Sequence, residues 1–212
     1  CYKSAYMLKN YIENYGKTDA LGYWVATDIF SEGIDCDDFL FGGCGLISRS
    51  GVCKPAYFAI EFMNHLESYM LGKNKNAIIT QRENGVFFVC CHNYKHLNFR
   101  YFSRNENEIE LENQQRFYTD NESMQMSFRI RNVNDGKYIV KIFSVSQTNG
   151  NAQHEWMNLG CFNDLSVPEV EYLKSVCQPK LSIFSVEATD HVLTVETRLT
   201  AQEIQGIVIA EL

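Results

Sequence analysis

The chain has 212 residues, 45% of them hydrophobic, 13% aromatic and 21% charged, enough apolar material for a packed core and too much for a disordered tail. A formal charge of −7 with no Lys/Arg cluster argues against a nucleic-acid surface or a patch for anionic membranes. No apolar run reaches the roughly 18 to 20 residues that cross a bilayer, and no basic segment precedes an apolar one at the start, so no membrane partner and a cytoplasmic chain are expected.

Apolar side chains at Tyr2, Ala5, Tyr6, Leu8 and Ile12 have helical period, which predicts a helix over 2–15 with Gly16 near its C-cap. Residues 21–30 are almost continuously apolar and of strand length, the pattern of a strand buried on both faces of a parallel sheet. An acidic, glycine-rich loop follows over 31–45. Lys54-Pro55 then opens a helix with Ile60, Met63, Leu66 and Met70 on one stripe. Residues 71–76 read as a polar linker, so two domains are expected, 1–76 and 77–212.

Beyond the linker the character changes to short strands. Met124, Met126, Phe128 and Ile130 alternate with Gln125, Ser127, Arg129 and Arg131, and Asn134-Asp135-Gly136 turns into 137–145, which predicts a hairpin with one wet face. Further strands are expected at 78–81, 86–92, 181–187, 192–199 and 204–210. Seven short strands imply a β-sandwich. They are interrupted by residues 151–159 and by a helix after Ser166-Val167-Pro168-Glu169, which has capping-box spacing.

Eight cysteines lack a regular framework, and Cys90 and Cys91 are adjacent in a strand-like run, so they are expected to be free thiols of a reducing compartment. The same adjacency sends them to opposite faces, so Cys90-Cys91-His92 with His96 is not expected to hold a metal. No phosphate-binding or dinucleotide motif is present and no cofactor is expected; Gly42-Gly43-Cys44-Gly45 reads as backbone flexibility in a loop. Asp28 and Glu32 stand at the end of the apolar strand and just after it, where α/β barrels place residues that touch substrate. Asp35, Asp37 and Asp38 read first as a solvated loop. Tyr23 and Trp24 are the aromatics best placed to stack on a sugar, with core packing the alternative, and Trp156 fits an interdomain anchor as well as a ligand platform.

The run Gly22-Tyr23-Trp24-Val25-Ala26-Thr27-Asp28-Ile29-Phe30-Ser31-Glu32 continues into Phe41-Gly42-Gly43-Cys44-Gly45-Leu46-Ile47 and Gly51-Val52-Cys53-Lys54-Pro55-Ala56-Tyr57. Together these resemble the last barrel strand, following loop and last barrel helix of family 39 glycoside hydrolases of the β-xylosidase type. Weaker likeness continues through 138–146, Asn149-Gly150, Glu155-Trp156 and Glu171-Tyr172-Leu173. The resemblance implies a mainly β fold, a C-terminal β-sandwich plus the last β/α elements of a (β/α)8 barrel. It implies retaining hydrolysis by two glutamates on the fourth and seventh barrel strands, both upstream of Cys1, so no catalytic residue is expected in this chain.

What carries over is substrate binding: Glu32 matches an acid that hydrogen-bonds the sugar, and Trp24 lies near the floor of that subsite. The family often has a pair of acids there, and this sequence has Ser31 at the first position. The start at Cys1, inside a helical pattern, reads as a piece of a longer protein whose partner is a carbohydrate. The apolar strand needs neighbours, so it is expected either to dock on the sandwich through the two helices or to pair with another copy of the chain, a self-association through the open barrel edge. Relatives of the family also occur in AraC-type transcription regulators, behind a sugar-sensing cupin and a helix-turn-helix, which leaves a sensory or structural role as the alternative. Independent carbohydrate binding by the sandwich ranks lower, because its predicted strands show no row of exposed aromatics.

Overall fold

A computed structural model describes residues 1–29, 38–40, 42–83, 85–103 and 111–212. Glu32, Asp35 and Asp37 of the acidic loop lie outside the described residues. Helix α1 (Tyr2–Asn14) buries Ala5, Leu8 and Ile12 on one stripe, and Gly16 follows its end with φ +77°. Lys73 Nζ donates to the carbonyls of Ile12 (3.2 Å) and Tyr15 (2.6 Å), placing a cation where the helix leaves its last acceptors unpaired. Helix α2 (Pro55–Asn64) begins with proline in its first turn and buries Ala56, Phe58, Ala59 and Phe62. The stripe expected to run on to Met70 stops at Asn64.

Strands β1 (Tyr69–Lys73), β2 (Ala77–Gln81) and β3 (Phe87–His92) follow, then a short helix α3 (Phe99–Phe102). Next come β4 (Met124–Arg131), β5 (Gly136–Val145), helices α4 (Ala152–Asn158) and α5 (Val167–Val176), and strands β6 (Lys180–Ala188), β7 (Val192–Leu199) and β8 (Ile204–Glu211). The strands form a six-stranded antiparallel sheet in the order β1-β2-β3-β8-β5-β6 and a two-stranded ribbon β4-β7. The architecture is mainly β, as expected, and α1 and α2 pack on one face of the six-stranded sheet.

The sheet is the middle of three layers. On one face, Ile78, Phe88, Cys90, Val145 and Ile204 meet Leu8, Ile12, Phe58 and Phe62 of α1 and α2. On the other, Phe87, Val89, Cys91, Val140, Ile207 and Ile209 meet Leu193, Val195 and Leu199 of the ribbon. Cys90 and Cys91 therefore face opposite layers, and burial raises both thiol pKa values. Gly206, opposite Cys90, lies close against α2: a Cβ there would stand 2.9 Å from the Phe62 ring. A third cluster of Phe39, Val52, Trp156, Leu173 and Cys177 ties the loop before Gly42 to α4 and α5.

Three expectations are corrected. The run 21–30 is not a strand among its described residues. Leu21, Trp24 and Ile29 are exposed, and a single parallel bridge joins Thr27 to Ile47. Its composition is that of a strand flanked on both edges, whereas here one short segment meets it. Second, β4 and β5 are not a hairpin. β4 pairs with β7 over its whole length, Phe128 opposite Val195. The connection crosses between sheets, with Asn132 at φ +60° and Val133 buried, and it is held by His191 N–H donating to Asp135 Oδ1 at 2.7 Å. Alternation fixes which face of a strand is wet and leaves its partner open. Third, the expected linker contributes β1. Asn74 Oδ1 accepts from the backbone N–H groups of Asn76 and Ala77, both at 2.8 Å, in an Asx turn that leads into β2.

Candidate functional site

Three short segments without long strands build the site. Ile47 N–H donates to Ala26 O (3.1 Å), Asp28 N–H to Ile47 O (2.9 Å), Ser48 N–H to Val52 O (2.8 Å) and Lys54 N–H to Leu46 O (2.8 Å). This small ladder puts Asp28 beside Lys54 at the entrance to α2. The Asp28 side chain is 1% exposed; its Oδ1 accepts from Gly45 N–H at 2.8 Å and its Oδ2 forms an ion pair with Lys54 Nζ at 2.5 Å.

The same ammonium donates to Gly43 O at 3.0 Å. From α1, Lys3 Nζ donates to Cys44 O at 3.0 Å and lies 5.3 Å from the centre of the Tyr23 ring, whose hydroxyl donates to the same carbonyl at 2.5 Å. Four side chains thus converge on the backbone of Gly43, Cys44 and Gly45. Gly45 admits this closeness: a Cβ would lie 2.4 Å from Asp28 N and 2.5 Å from its Oδ1. The role of Gly45 is therefore steric, which corrects the reading of backbone flexibility at that position, while Gly42, at φ +83° in open space, does use a glycine's backbone freedom.

Burial pushes the Lys54 ammonium below its ordinary range, and the Asp28 carboxylate pulls it back up. Burial likewise lowers Lys3 and pushes the Tyr23 hydroxyl up to about 12. A cavity of about 330 Å3 opens beside Lys3, Lys54 and Gly42, walled by Leu40, Asn151 and Trp156. Trp156 is buried, with its indole N–H donating to Phe162 O at 2.7 Å, so it anchors α4.

Of the expected site residues, Asp28 joins the network. Trp24 is 68% exposed, and its peptide bond to Val25 is cis. Glu32 is outside the described residues. Lys54, Lys3 and the Tyr23 hydroxyl were missed as network members. The signal was present in Lys54-Pro55, read only as a helix start. No group of three or more His, Cys, Asp or Glu among the described residues could hold a metal. His92 is buried with its ring nitrogens near Lys75 O and Tyr94 N, both at 3.2 Å, and burial lowers its pKa to about 4.

The model for glycosyl hydrolases family 39 matches residues 1–192. A β-xylosidase of Geobacillus stearothermophilus is 26% identical over 209 residues, 98% of this chain and 37% of its own. An uncharacterised HTH-type transcriptional regulator of Staphylococcus aureus is 21% identical over 174 residues, 82% of this chain and 22% of its own. Among solved structures, the GH39 enzyme of Xanthomonas axonopodis pv. citri superposes with a TM-score of 0.78 at 16% identity, covering all of this chain and 41% of that one. A monomeric β-xylosidase of Caulobacter crescentus gives 0.75 at 16% identity, covering all of this chain and 42% of that one. The chain thus spans well under half the length of the relatives it matches, and it belongs to the glycosyl hydrolases of family 39.

Proposed function

We propose that this chain is the C-terminal part of a β-xylosidase-like glycoside hydrolase, with the last barrel elements in 1–76 and a supporting sandwich in 77–212, whose six-stranded sheet takes its edge strand β1 from the first part. The observation that carries the reading is the network that fixes the turn 43–45 from both sides. It ties the segment holding Trp24 and Asp28 to the start of α2.

In this reading Glu32 and Trp24 contact the sugar in the full-length protein. Asp28 serves by holding the turn, since its lone pairs are closed to a ligand by Gly45, Lys54 and burial. Retaining hydrolysis needs a proton donor and a nucleophile roughly 5 to 5.5 Å apart, and a single binding acid cannot supply both. The isolated chain therefore should not cleave an aryl β-xyloside, while the full-length protein should, with kcat/KM lowered by Glu32→Gln. Cleavage by the isolated chain at a rate removed by Glu32→Gln would sink this assignment.

The likeness to an HTH-type regulator supports a second reading, in which the barrel belongs to a sugar-responsive transcription regulator. The reading frame upstream of Cys1 separates the two. Catalytic glutamates on the expected strands favour the hydrolase, and a DNA-binding helix-turn-helix without them favours the regulator.

A further inference from the structure

The alternation that builds the sandwich core fails at one end. Inward positions along β5 hold Tyr138, Val140 and Ile142, and then Ser144. Along β8 the inward residues Ile209 and Ile207 give way to Gln205, and along β7 Thr197 interrupts the inward series of Leu193, Val195 and Leu199. On β6 the same face carries Phe184, then Ser182 and Lys180. Register aligns these changes: Gln205 stands opposite Ser144, and Ser144 opposite Lys180, so one polar row crosses three strands.

Where an apolar row would close the sandwich, the two sheets are bridged by a hydrogen bond, Thr197 Oγ1 donating to Gln205 Oε1 at 2.8 Å. The mouth opens into a groove of about 540 Å3, within the range of about 300 to 1,000 Å3 typical of small-molecule sites. It shares no lining residue with the cavity beside Lys54.

The chemistry of the groove narrows its ligand. Gln205 is nearly buried and fully engaged, its Nε2 donating to Arg198 O (3.2 Å) and Glu203 Oε1 (2.7 Å), so it is a rigid floor. The Glu203 carboxylate is occupied from within, its Oε2 accepting from Thr200 N–H and Oγ1, both at 2.8 Å. Among the described residues, the hydroxyls of Ser144 and Ser182 have no protein partner, and Gln147 presents a carboxamide on the rim after accepting from Gln115. Ile142 and Ala201 add an aliphatic patch. Hydroxyls and carboxamides donate and accept in turn, which matches vicinal hydroxyls, while the aliphatic patch suits the C–H face of a ring.

We propose that this groove is a sugar-binding site on the sandwich, separate from the barrel. It rests on the groove's own chemistry and is independent of the hydrolase assignment. The test is an amide NMR titration of the whole chain with D-xylose and xylobiose, with glycerol as the control for an unspecific polyol. Saturable shifts are expected at Ser144, Ser182, Thr197 and the Gln205 side chain, with a Kd of about 1 mM. Restoring the apolar alternation with Ser144→Val and Ser182→Leu together should leave a folded protein and weaken binding at least about tenfold, a change of about 1.4 kcal/mol. If that variant does not fold, Thr197→Val, which keeps the side-chain shape, carries the same expectation. No saturable shift with either sugar, an equal response to glycerol, or undiminished binding by the folded variant would overturn the proposal. Each of those results would leave the hydrolase assignment standing, since that is read from the full-length protein's activity.

Discussion

Replacing Lys54 with methionine tests whether the turn network is an energetic unit. The substitution keeps most of the side-chain length and removes the charge, leaving the Asp28 carboxylate 1% exposed with Gly45 N–H as its remaining hydrogen-bond donor. Breaking one side of a buried ion pair costs about 3–5 kcal/mol, because the surviving charge stays desolvated. Against a total stability of about 5–15 kcal/mol this is a large fraction, and for a chain of this length it lowers Tm by about 6–20 °C. Thermal unfolding followed by circular dichroism measures it. The double variant Asp28→Asn/Lys54→Met retains an acceptor for Gly45 N–H and removes both charges, so it should recover most of the loss. A single-variant loss under about 1 kcal/mol, or a double variant no more stable than the single, would refute the claim that the pair is buried and coupled.

Gly206→Ala should destabilise by about 1–3 kcal/mol, because its Cβ would meet the Phe62 ring at 2.9 Å between packed layers; an unchanged urea midpoint would contradict that packing. Among the described cysteines, the exposed Cys44 and Cys161 should react with a thiol reagent in the native state. Cys90, Cys91 and Cys177, buried and with raised pKa values (Cys177 to about 12), should react only on unfolding, and mass spectrometry after brief labelling distinguishes the two sets. Leu21, Trp24 and Ile29 are exposed apolar side chains on one segment, so the chain should self-associate with rising concentration, and Leu21→Lys/Ile29→Lys should suppress it; sedimentation velocity showing one monomeric species at every concentration would count against this.

Much of the fold could be read from local pattern. The strand at 192–199 and the helix opening at Ser166 rest on signals within a few residues, alternation in one case and the Ser166–Glu169 pairing in the other, where the Ser166 N–H and hydroxyl both donate to the Glu169 carboxylate at 2.6 Å. What escaped was non-local. Nothing in Met124–Arg131 says that its partner lies about seventy residues on, and nothing in 21–30 says that Ile47 is its only bridge among the described residues. At the site, carboxylates and aromatics were legible because those residue types suggest sugar contact. Lys54 was not, since a lysine before a proline is read most simply as a helix entrance. Its pairing with Asp28 depends on a fold-back of the chain at Ser48–Val52.

The adjacent cysteines of β3 make one further point about how this chain can be divided. With Phe88 and Cys90 pressed on helices and Val89 and Cys91 pressed on the ribbon, the six-stranded sheet is a party wall, structural to the rooms on both sides. Cutting at the start of β2 to express the sandwich alone would lay bare Ile78, Phe88, Cys90, Val145 and Ile204 as one greasy face. An excised sandwich would have to be resurfaced with polar residues at those positions before it could stay in solution, and the two helices are the cheaper cover because the chain already carries them.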